Sequence, residues 1–516
     1  MTLKHGVYIS ETSSAVQSMI ETDSAIPFVV GTASGAGAIG DLPVNEPKLI
    51  YSFEEYVQNF GYTGARQSLG ALKKYEFTLD EFARSFFRHY SSKPAVFVNV
   101  LDPASAKKSG TVVTSVTFAS KNGQALFGDY AVIPDSITLT KPAGSDPESD
   151  PAETYTVEAG DFSVIVEEGV PHLQAMREEE GSGAWKVPTD TALTATYEIV
   201  SAETVTFQQI VGGYTAETGK RTGLELIKEV FPRFRLVPGL IVSPHFSKVP
   251  TVALAMASLA ENISDMFVSL ALIDLPSATI TIGGQELEGP TVYSAVPAWK
   301  NENSLTDKQS VLTWPNLSLD GEIYAASSHL AGLMAKTDND NGGIPFVSPS
   351  NKALAANKIC SDTGEDIWLD VVQANYLNAN GVNTAAGFLD SWVYWGNFTA
   401  CYPSTESKDY FIPVRRMFNW LHVNLILNYW SRIDVPATRR QIESIVDSAN
   451  IWLNSLTASG YILGGRVEFN QEENPTQDMA AGKLRFHVYY TPAPPAQEIT
   501  FVLEYDASYL SVLYGT

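Results

Sequence analysis

Short apolar runs alternate with helix-forming segments in two separate parts of the chain, and this alternation limits the possible folds more than any other feature. In the first part, AIPFVVG (residues 25–31) precedes PKLIYS, the helical stretch SFEEYVQNFG, a second helix LDEFARSFFRHYSS and the strand PAVFVNVLDP. Ser52 and Glu55 have the spacing of a capping box, and Gly61 is placed to end that helix. A strand–helix–strand order needs a crossover connection, so it predicts a parallel sheet and an α/β fold.

The same alternation returns after residue 212. LVPGLIVSP and FVSLALIDLP predict strands, VALAMASLAENI a helix, and PVRRMFNWLHVNLILNYWSR and PATRRQIESIVDSANIWLNSLTAS two long helices. Between the two parts, closely spaced Thr/Val-rich strands from TVVTSVTF to TVTFQQIVGG predict an all-β module. We interpret this module as an insertion into the α/β pattern.

The predicted fold is therefore a multi-domain α/β (α+β) protein with sheet-and-helix core domains, an inserted all-β domain and extended strand arms at both ends. The predicted divisions are an N-terminal arm (1–24), the first part of the core (25–109), the β-rich insertion (110–212), the second part of the core (213–400), a C-terminal α/β domain (401–495) and a C-terminal strand arm (496–516).

The two ends of the chain carry strand-like segments without local partners. HGVYISE alternates near the N-terminus, and EITFVLEYDA follows the Pro494–Pro495 pair at the other end. Neither has a tight turn that would fold it back as a hairpin. A strand of this kind must pair with a distant segment or with another chain.

Composition excludes several classes of function. The chain has 516 residues and a net charge of −24, so a surface that neutralises nucleic-acid phosphates is not expected. Its two cysteines, Cys360 and Cys401, exclude a disulfide framework and a cysteine-rich zinc site, and we expect both to be buried apolar residues. No secretion signal or run of about 18 apolar residues is present in the sequence, so we expect a soluble protein made in a cytoplasm.

GAGAIG matches the glycine spacing of a dinucleotide site at Gly35, Gly37 and Gly40. Such a site needs a helix directly after the glycines to receive the pyrophosphate. Pro43 and Pro47 prevent a helix there, so the motif predicts a flexible loop. A soluble α/β enzyme or nucleotide-binding protein that uses this loop is the alternative hypothesis.

The remaining chemical motifs are weak. KTDNDNGG (336–343) imitates a calcium loop but lacks the closing glutamate, so a tight polar turn is favoured. Asp274 ends a predicted strand, where an enzyme could keep a catalytic acid, although a turn-capping role before Pro276 is at least as probable. We therefore assign no catalytic residue, no metal ligand and no cofactor.

Several segments together resemble the contractile tail sheath family of phages and phage-derived injection particles. The opening HGVYISE with AIPFVVGTASG and NEPKLIYSFEEYVQNFG is similar to the start of that family. LNANGVNTAAGF with VYWGNFTA is the most specific match, and GKLRFHVYYTPAPPAQEITFVLEY resembles the family's end. The resemblance covers roughly 1–109 and 213–516 and leaves the β insertion unmatched.

The resemblance implies a structural protein that polymerises as stacked rings around an inner tail tube and contracts without nucleotide hydrolysis. It implies that terminal arms add strands to neighbouring subunits, which assigns inter-subunit roles to Gly6, Val7, Tyr8, Ile9, Ile499, Phe501 and Leu503. A helix of the C-terminal domain would contact the tube, with Arg439 and Arg440 as candidates, although an exposed Arg439–Glu443 pair explains the first of them equally well.

The implied partners are the chain itself, the inner tube, the baseplate and the tail terminator, with no nucleic acid and no direct membrane insertion. The implied location is the tail of a virion or a phage-tail-like particle, assembled in the host cytoplasm to drive the tube through a target cell envelope.

Overall fold

The computed structural model describes residues 22–108, 112–143, 151–167, 169–178, 184–388, 391–403 and 407–514. An eight-stranded sheet forms its centre. In spatial order its strands are Lys48–Ile50, Ala95–Asn99, Pro27–Gly31, Leu240–Val242, Leu270–Asp274, Ser310–Thr313, Val382–Phe388 and Ser391–Trp395. The six inner strands are parallel, and the two edge strands pair antiparallel. The parallel sheet predicted from the sequence is therefore confirmed.

Both faces of the central sheet are covered, which explains why its strands are apolar without alternation. Phe28 and Val30 belong to the apolar cluster on one face, and Val29 and Phe97 belong to the cluster on the other. The helix that follows the first strands begins after Ser52, whose hydroxyl accepts from the Glu55 backbone N–H at 3.1 Å. Gly61 ends it with a φ of 73°.

The described α-helices are between four and twenty residues long. They are Phe53–Phe60, Thr78–Ala83, Phe207–Val211, Ile227–Phe234, Pro250–Glu261, Val296–Glu302, Ala326–Asn339, Val371–Asn378, Ser407–Tyr410, Ile412–Tyr429, Arg439–Ala458 and Thr476–Ala480. A π-helical segment, Arg84–His89, continues the second of them, and Phe82, Phe86 and Tyr90 along this stretch are buried. No described helix combines the length and the apolar character needed to span a bilayer.

A six-stranded sheet lies beside the central one, and we call it the small sheet. In spatial order its strands are Asp366–Ile367, Lys358–Cys360, Asn316–Leu319, Glu322–Tyr324, Leu72–Tyr75 and Ala65–Leu69. Two separate parts of the core therefore meet in one sheet, through the parallel pairing of Glu322–Tyr324 with Leu72–Tyr75.

The segment between 110 and 212 folds into two antiparallel sheets. One contains Phe162–Glu167, Val170–Ala175 and Gln124–Leu126; the other contains Val112–Thr117, Ala192–Tyr197, Thr138–Lys141 and Glu153–Thr156. The predicted strand in TVTFQQIVGG is wrong, because Phe207–Val211 is a helix with a capping box formed by Thr206 and Gln209. Three further two-stranded sheets pair Gly213–Thr215 with Lys220–Thr222, Ile280–Ile282 with Gln285–Leu287, and Ile462–Glu468 with His487–Pro492.

The two long helices near the C-terminus pack on the last of these hairpins, Ile462–Glu468 with His487–Pro492, which we call the C-terminal hairpin. Trp420 of the first helix and Trp452 of the second lie with ring centroids 5.6 Å apart, and Leu453 and Val467 complete the buried cluster. The second helix begins at Arg439 after the Thr438 cap, three residues later than Pro436.

Candidate functional site: terminal segments and the C-terminal helix pair

The C-terminal tail leaves the hairpin without regular structure over residues 493–506. Its apolar side chains are in solvent: Ile499 is 73%, Phe501 85% and Leu503 96% exposed. The segment forms no strand within the subunit, and its pairing with a neighbouring subunit stays a prediction. Residues 507–514 form a short 3-10 helix that is also apolar and exposed.

The N-terminal arm residues Gly6, Val7, Tyr8 and Ile9 lie outside the described residues. The described chain begins at Thr22, and this point is fixed to the first long C-terminal helix. The Thr22 backbone N–H donates to Asn424 Oδ1 at 3.1 Å, and Trp420 Nε1 donates to the Thr22 carbonyl at 2.9 Å.

The next anchor is the buried Asp338 carboxylate, which accepts from the Ser24 hydroxyl at 2.5 Å and from both terminal nitrogens of Arg416. The sequence prediction for KTDNDNGG is corrected here. Lys336–Asn339 complete a helix, and only 340–343 form the polar turn. The signal missed in the sequence is Arg416, a cation within a largely apolar helix, which needs an acidic partner when it is buried.

The C-terminal hairpin has only two strands, so each strand leaves one edge unpaired among the described residues. A cleft of about 410 Å³ opens beside it, lined by Leu463, Gly464, Gly465, Arg466, Tyr489, Tyr490 and Thr491. Gly464 has open space where a side chain would lie. An unpaired edge with a small residue permits another backbone to approach.

Arg439 and Arg440 are both exposed at the start of the second long helix. Arg439 Nε donates to Glu443 at 2.7 Å, which is the i, i+4 pair considered in the sequence analysis. The loop just before this helix also exposes apolar side chains, with Trp430 at 56% and Ile433 at 57%. The helix start therefore combines two cations with an apolar surface.

The GAGAIG loop has no helix after its glycines, as predicted. Gly35, Gly37 and Gly40 have φ values of 75°, 82° and 85°, which only glycine adopts readily. The Gly35 N–H donates to the Phe60 carbonyl at 3.0 Å, and Gly61 packs against Ala36 so closely that a Cβ there would lie 2.4 Å from its carbonyl oxygen. The loop therefore packs against the C-terminal end of helix Phe53–Phe60 and does not form a phosphate cradle.

In open α/β sheets, ligands usually bind where the strand order reverses, here between Pro27–Gly31 and Leu240–Val242. The chain makes close contacts with itself at this position. A Cβ at Gly31 would lie 2.3 Å from Thr78 Oγ1, and His245 Nε2 contacts the buried Glu81 carboxylate at 2.5 Å. A cavity of about 430 Å³ opens beside these contacts, with Thr78, His245 and Phe246 in its lining.

Asp274 is buried and its carboxylate is satisfied by neighbouring hydroxyl and amide groups. Ser327 donates from its backbone N–H at 2.8 Å and from its hydroxyl at 2.6 Å, and Ser247 and Thr313 hydroxyls donate at 3.1 and 3.2 Å. This arrangement fixes strand ends and does not present a catalytic acid to a cavity. Across the described part of the chain, no group of three or more His, Cys, Asp or Glu residues could hold a metal ion. Cys360 and Cys401 are both buried.

No protein-family model matches the chain. A tail sheath protein of Burkholderia phage BcepMu is 28% identical over 524 aligned residues, which cover 99% of this chain and 98% of that protein. The tail sheath protein of Escherichia phage P2 is 26% identical over 368 residues, which cover 69% of this chain and 82% of the relative. The first match extends over the β insertion, so the expectation that the insertion has no counterpart is wrong.

Two solved structures share the fold over nearly their whole length. The contracted sheath complex of an extracellular contractile injection system, PVC, has a TM-score of 0.55 at 14% identity and covers 99% of both chains. The contracted helical sheath of the anti-feeding prophage has a TM-score of 0.54 at 15% identity, over 98% of this chain and 100% of that chain.

The fold and the sheath relatives together define the protein as a structural subunit of a contractile sheath. They support a structural protein and not an enzyme, and the closed glycine loop offers no phosphate cradle. Similarity over nearly the whole chain supports a place in the contractile tail sheath family.

Proposed function

We propose that the subunit polymerises with copies of itself into stacked rings around an inner tail tube, and that terminal strands link neighbouring subunits. The observation that carries this proposal is the C-terminal tail, whose apolar residues Ile499, Phe501 and Leu503 are exposed in the same chain that has a hairpin with free edges. Apolar residues at alternate positions of this exposed segment, which has no regular structure within the subunit, are suited to strand addition.

The energetics favour a linked but movable assembly. An arm strand that makes about four to six backbone hydrogen bonds at about 0.5–1.5 kcal/mol each contributes a few kcal/mol. Many such links along a cylinder hold the subunits together while their folded bodies reorient. Gly6, Val7, Tyr8 and Ile9 are proposed to act in the same way at the other end.

We further propose that Arg439 and Arg440 contact the inner tube. Both side chains are exposed on a chain of net charge −24, and the apolar Trp430 and Ile433 lie in the adjoining loop. A cationic and apolar tip fits a partner surface with acidic residues around an apolar centre.

The baseplate and the tail terminator are proposed partners, and a virion tail or phage-tail-like particle assembled in a host cytoplasm is the proposed location. The fold is also found in an anti-feeding prophage baseplate structure, with a TM-score of 0.54 at 15% identity. Contraction is proposed to need no nucleotide and to drive the tube through a cell envelope. The division of the chain at 24, 109, 212, 400 and 495 is part of this proposal.

Negative-stain electron microscopy of the purified chain tests the proposal. We expect hollow striated tubes from the full chain, and compact particles with an unchanged circular dichroism spectrum from chains that lack 1–20 or 496–516. Compact particles from the full chain at high concentration would contradict polymerisation. Tubes from both truncated chains would contradict strand donation by the arms but would leave polymerisation supported.

A further inference from the structure

Lys248, Asn316 and Asp362 lie together where the central sheet meets the small sheet, away from the assembly surfaces described above. Lys248 ends the 3-10 turn after strand Leu240–Val242, Asn316 begins a strand of the small sheet, and Asp362 follows Lys358–Cys360. The Lys248 side chain is fully buried, Asp362 is 4% exposed and Asn316 2%. A lysine buried this deeply beside polar groups is a candidate for chemistry.

The three side chains form a closed ring of contacts. Lys248 Nζ donates to Asn316 Oδ1 at 2.8 Å and also contacts Asp362 Oδ1. Asn316 Nδ2 donates to the same Asp362 oxygen at 2.8 Å. The amide carbon lies one C=O bond, about 1.2 Å, beyond Oδ1, so the lysine nitrogen is at most about 4 Å from it. Reacting atoms in a near-attack arrangement are about 3–3.5 Å apart, so a small adjustment suffices.

Asp362 is held for proton transfer between the two nitrogens. Its Oδ2 accepts from the Ser277 backbone N–H at 2.8 Å and from the Ser277 hydroxyl at 3.1 Å, so Oδ1 faces both the amine and the amide. Burial alone would raise the pKa of Asp362, but Lys248 and the hydrogen bonds from Ser277 and Asn316 outweigh burial and lower that pKa, so the resting pair is an ammonium and a carboxylate. Passing a proton from the ammonium to the carboxylate during the reaction gives a neutral amine and a neutral acid. His245 Nδ1 lies 3.4 Å from Lys248 Nζ as a second proton acceptor.

We propose that Lys248 and Asn316 join in an isopeptide bond, with Asp362 carrying the protons. The Lys248 Nζ–Asn316 Cγ bond forms and the Cγ–Nδ2 bond breaks. The ammonium nitrogen loses two protons, Asp362 relays them to the departing amide nitrogen, and that nitrogen leaves as an ammonium ion. Nothing is oxidised or reduced, and no cofactor is needed. The bond ties the central sheet to the small sheet, where it resists load on the subunit.

The mass of the full chain, measured after denaturation, tests this bond without any variant. We expect a chain that is lighter than its sequence by one ammonia, about 17 Da, and a branched peptide joining the segments around 248 and 316 after proteolysis. A chain of full sequence mass with separate peptides would overturn the proposal. A loss of water through a Lys248–Asp362 bond would overturn the choice of Asn316.

Two matched variants test the role of Asp362. Asp362→Asn keeps the shape of the side chain but removes the proton carrier, so we expect the full sequence mass, apart from the substitution itself. Asp366→Asn changes the half-exposed carboxylate that pairs with Lys358 in the same sheet, and we expect it to retain the link. A link that persists in Asp362→Asn would overturn the assigned role. If that variant does not fold, the unmodified chain still decides whether the bond exists.

Discussion

Arg416 and Asp338 form a two-pronged ion pair inside the protein, with Arg416 Nη1 donating to Asp338 Oδ1 at 3.0 Å and Nη2 contacting Oδ2. Their side chains are only 3% and 2% exposed. The Ser24 hydroxyl donates to the same carboxylate, so the start of the described chain, helix Ala326–Asn339 and helix Ile412–Tyr429 meet at one group. The proposed N-terminal arm is thereby attached to both the core and the C-terminal helices.

Removing the cation of this pair should be costly. Arg416→Met leaves the Asp338 carboxylate buried without its cation, and loss of one partner of a buried pair costs about 3–5 kcal/mol. Urea unfolding followed by circular dichroism measures the change in free energy of unfolding. As a control, Arg439→Met breaks the solvent-exposed pair with Glu443 and should leave the free energy of unfolding nearly unchanged. Equal effects of the two substitutions would contradict the structural role of the Arg416–Asp338 pair.

Local sequence signals predicted much of this fold because they act over a few residues. The buried strand Pro27–Gly31 and the cap at Ser52 were identified in this way. The helix Phe207–Val211 was missed because its Thr/Val content resembles the preceding strands, although the Thr206–Gln209 capping box was a visible signal.

Contacts between distant residues could not be predicted from a single sequence. Lys248 and Asp362 are separated by 114 positions, and Asp338 and Arg416 by 78. A charged residue in the sequence shows that a partner is needed if the residue is buried, but it does not show which partner the tertiary fold supplies. The functions of the terminal arms depend on other subunits, so a single chain cannot display them.

His329 should make the stability of the subunit depend on acid pH. The ring is fully buried, and burial together with the nearby His89 lowers its pKa to about 3. The unfolded chain, with a pKa near 6.5, then binds more protons than the folded chain at intermediate pH. The stability associated with the neutral His329 ring is fully present above about pH 6.5. As the pH falls from there toward 3, the free energy of unfolding decreases by about 1.4 kcal/mol per pH unit.

The histidine prediction is tested by the difference between the original chain and His329→Phe. We expect the free energy of unfolding of the two chains to change in parallel above pH 6.5 and to diverge below it, with the shallower slope in the variant. His172→Phe, at a half-exposed position of the β insertion, serves as the control. Parallel curves for His329→Phe down to pH 4 would contradict the prediction.

Substitution of both arginines at the start of the second long helix should separate tube binding from sheath assembly. Arg439→Ala with Arg440→Ala removes two exposed cations, so the free energy of unfolding should stay nearly unchanged. We expect tubes of the variant sheath to form but to bind inner tubes less at increasing salt. Co-sedimentation with purified inner tubes measures this, and Lys121→Ala, an exposed cation of the β insertion, is the control. Undiminished binding by the double variant would remove these residues from the proposed contact.

Proline substitutions in the C-terminal tail should distinguish strand addition from contact by side chains alone. Successive backbone N–H groups of a strand point to opposite sides, so of Phe501→Pro and Val502→Pro at least one removes a hydrogen bond to a neighbouring subunit. Because 493–506 forms no helix or strand within the subunit, neither substitution should change its free energy of unfolding measurably.

We expect at least one proline variant to form no tubes in negative-stain images, whereas Phe501→Ala and Val502→Ala, which keep the N–H groups, still form them. Gln497→Pro extends the preceding proline-rich stretch outside the predicted strand and should also permit tubes. Normal tubes from both proline variants would show that the tail links subunits through its side chains and not as a strand.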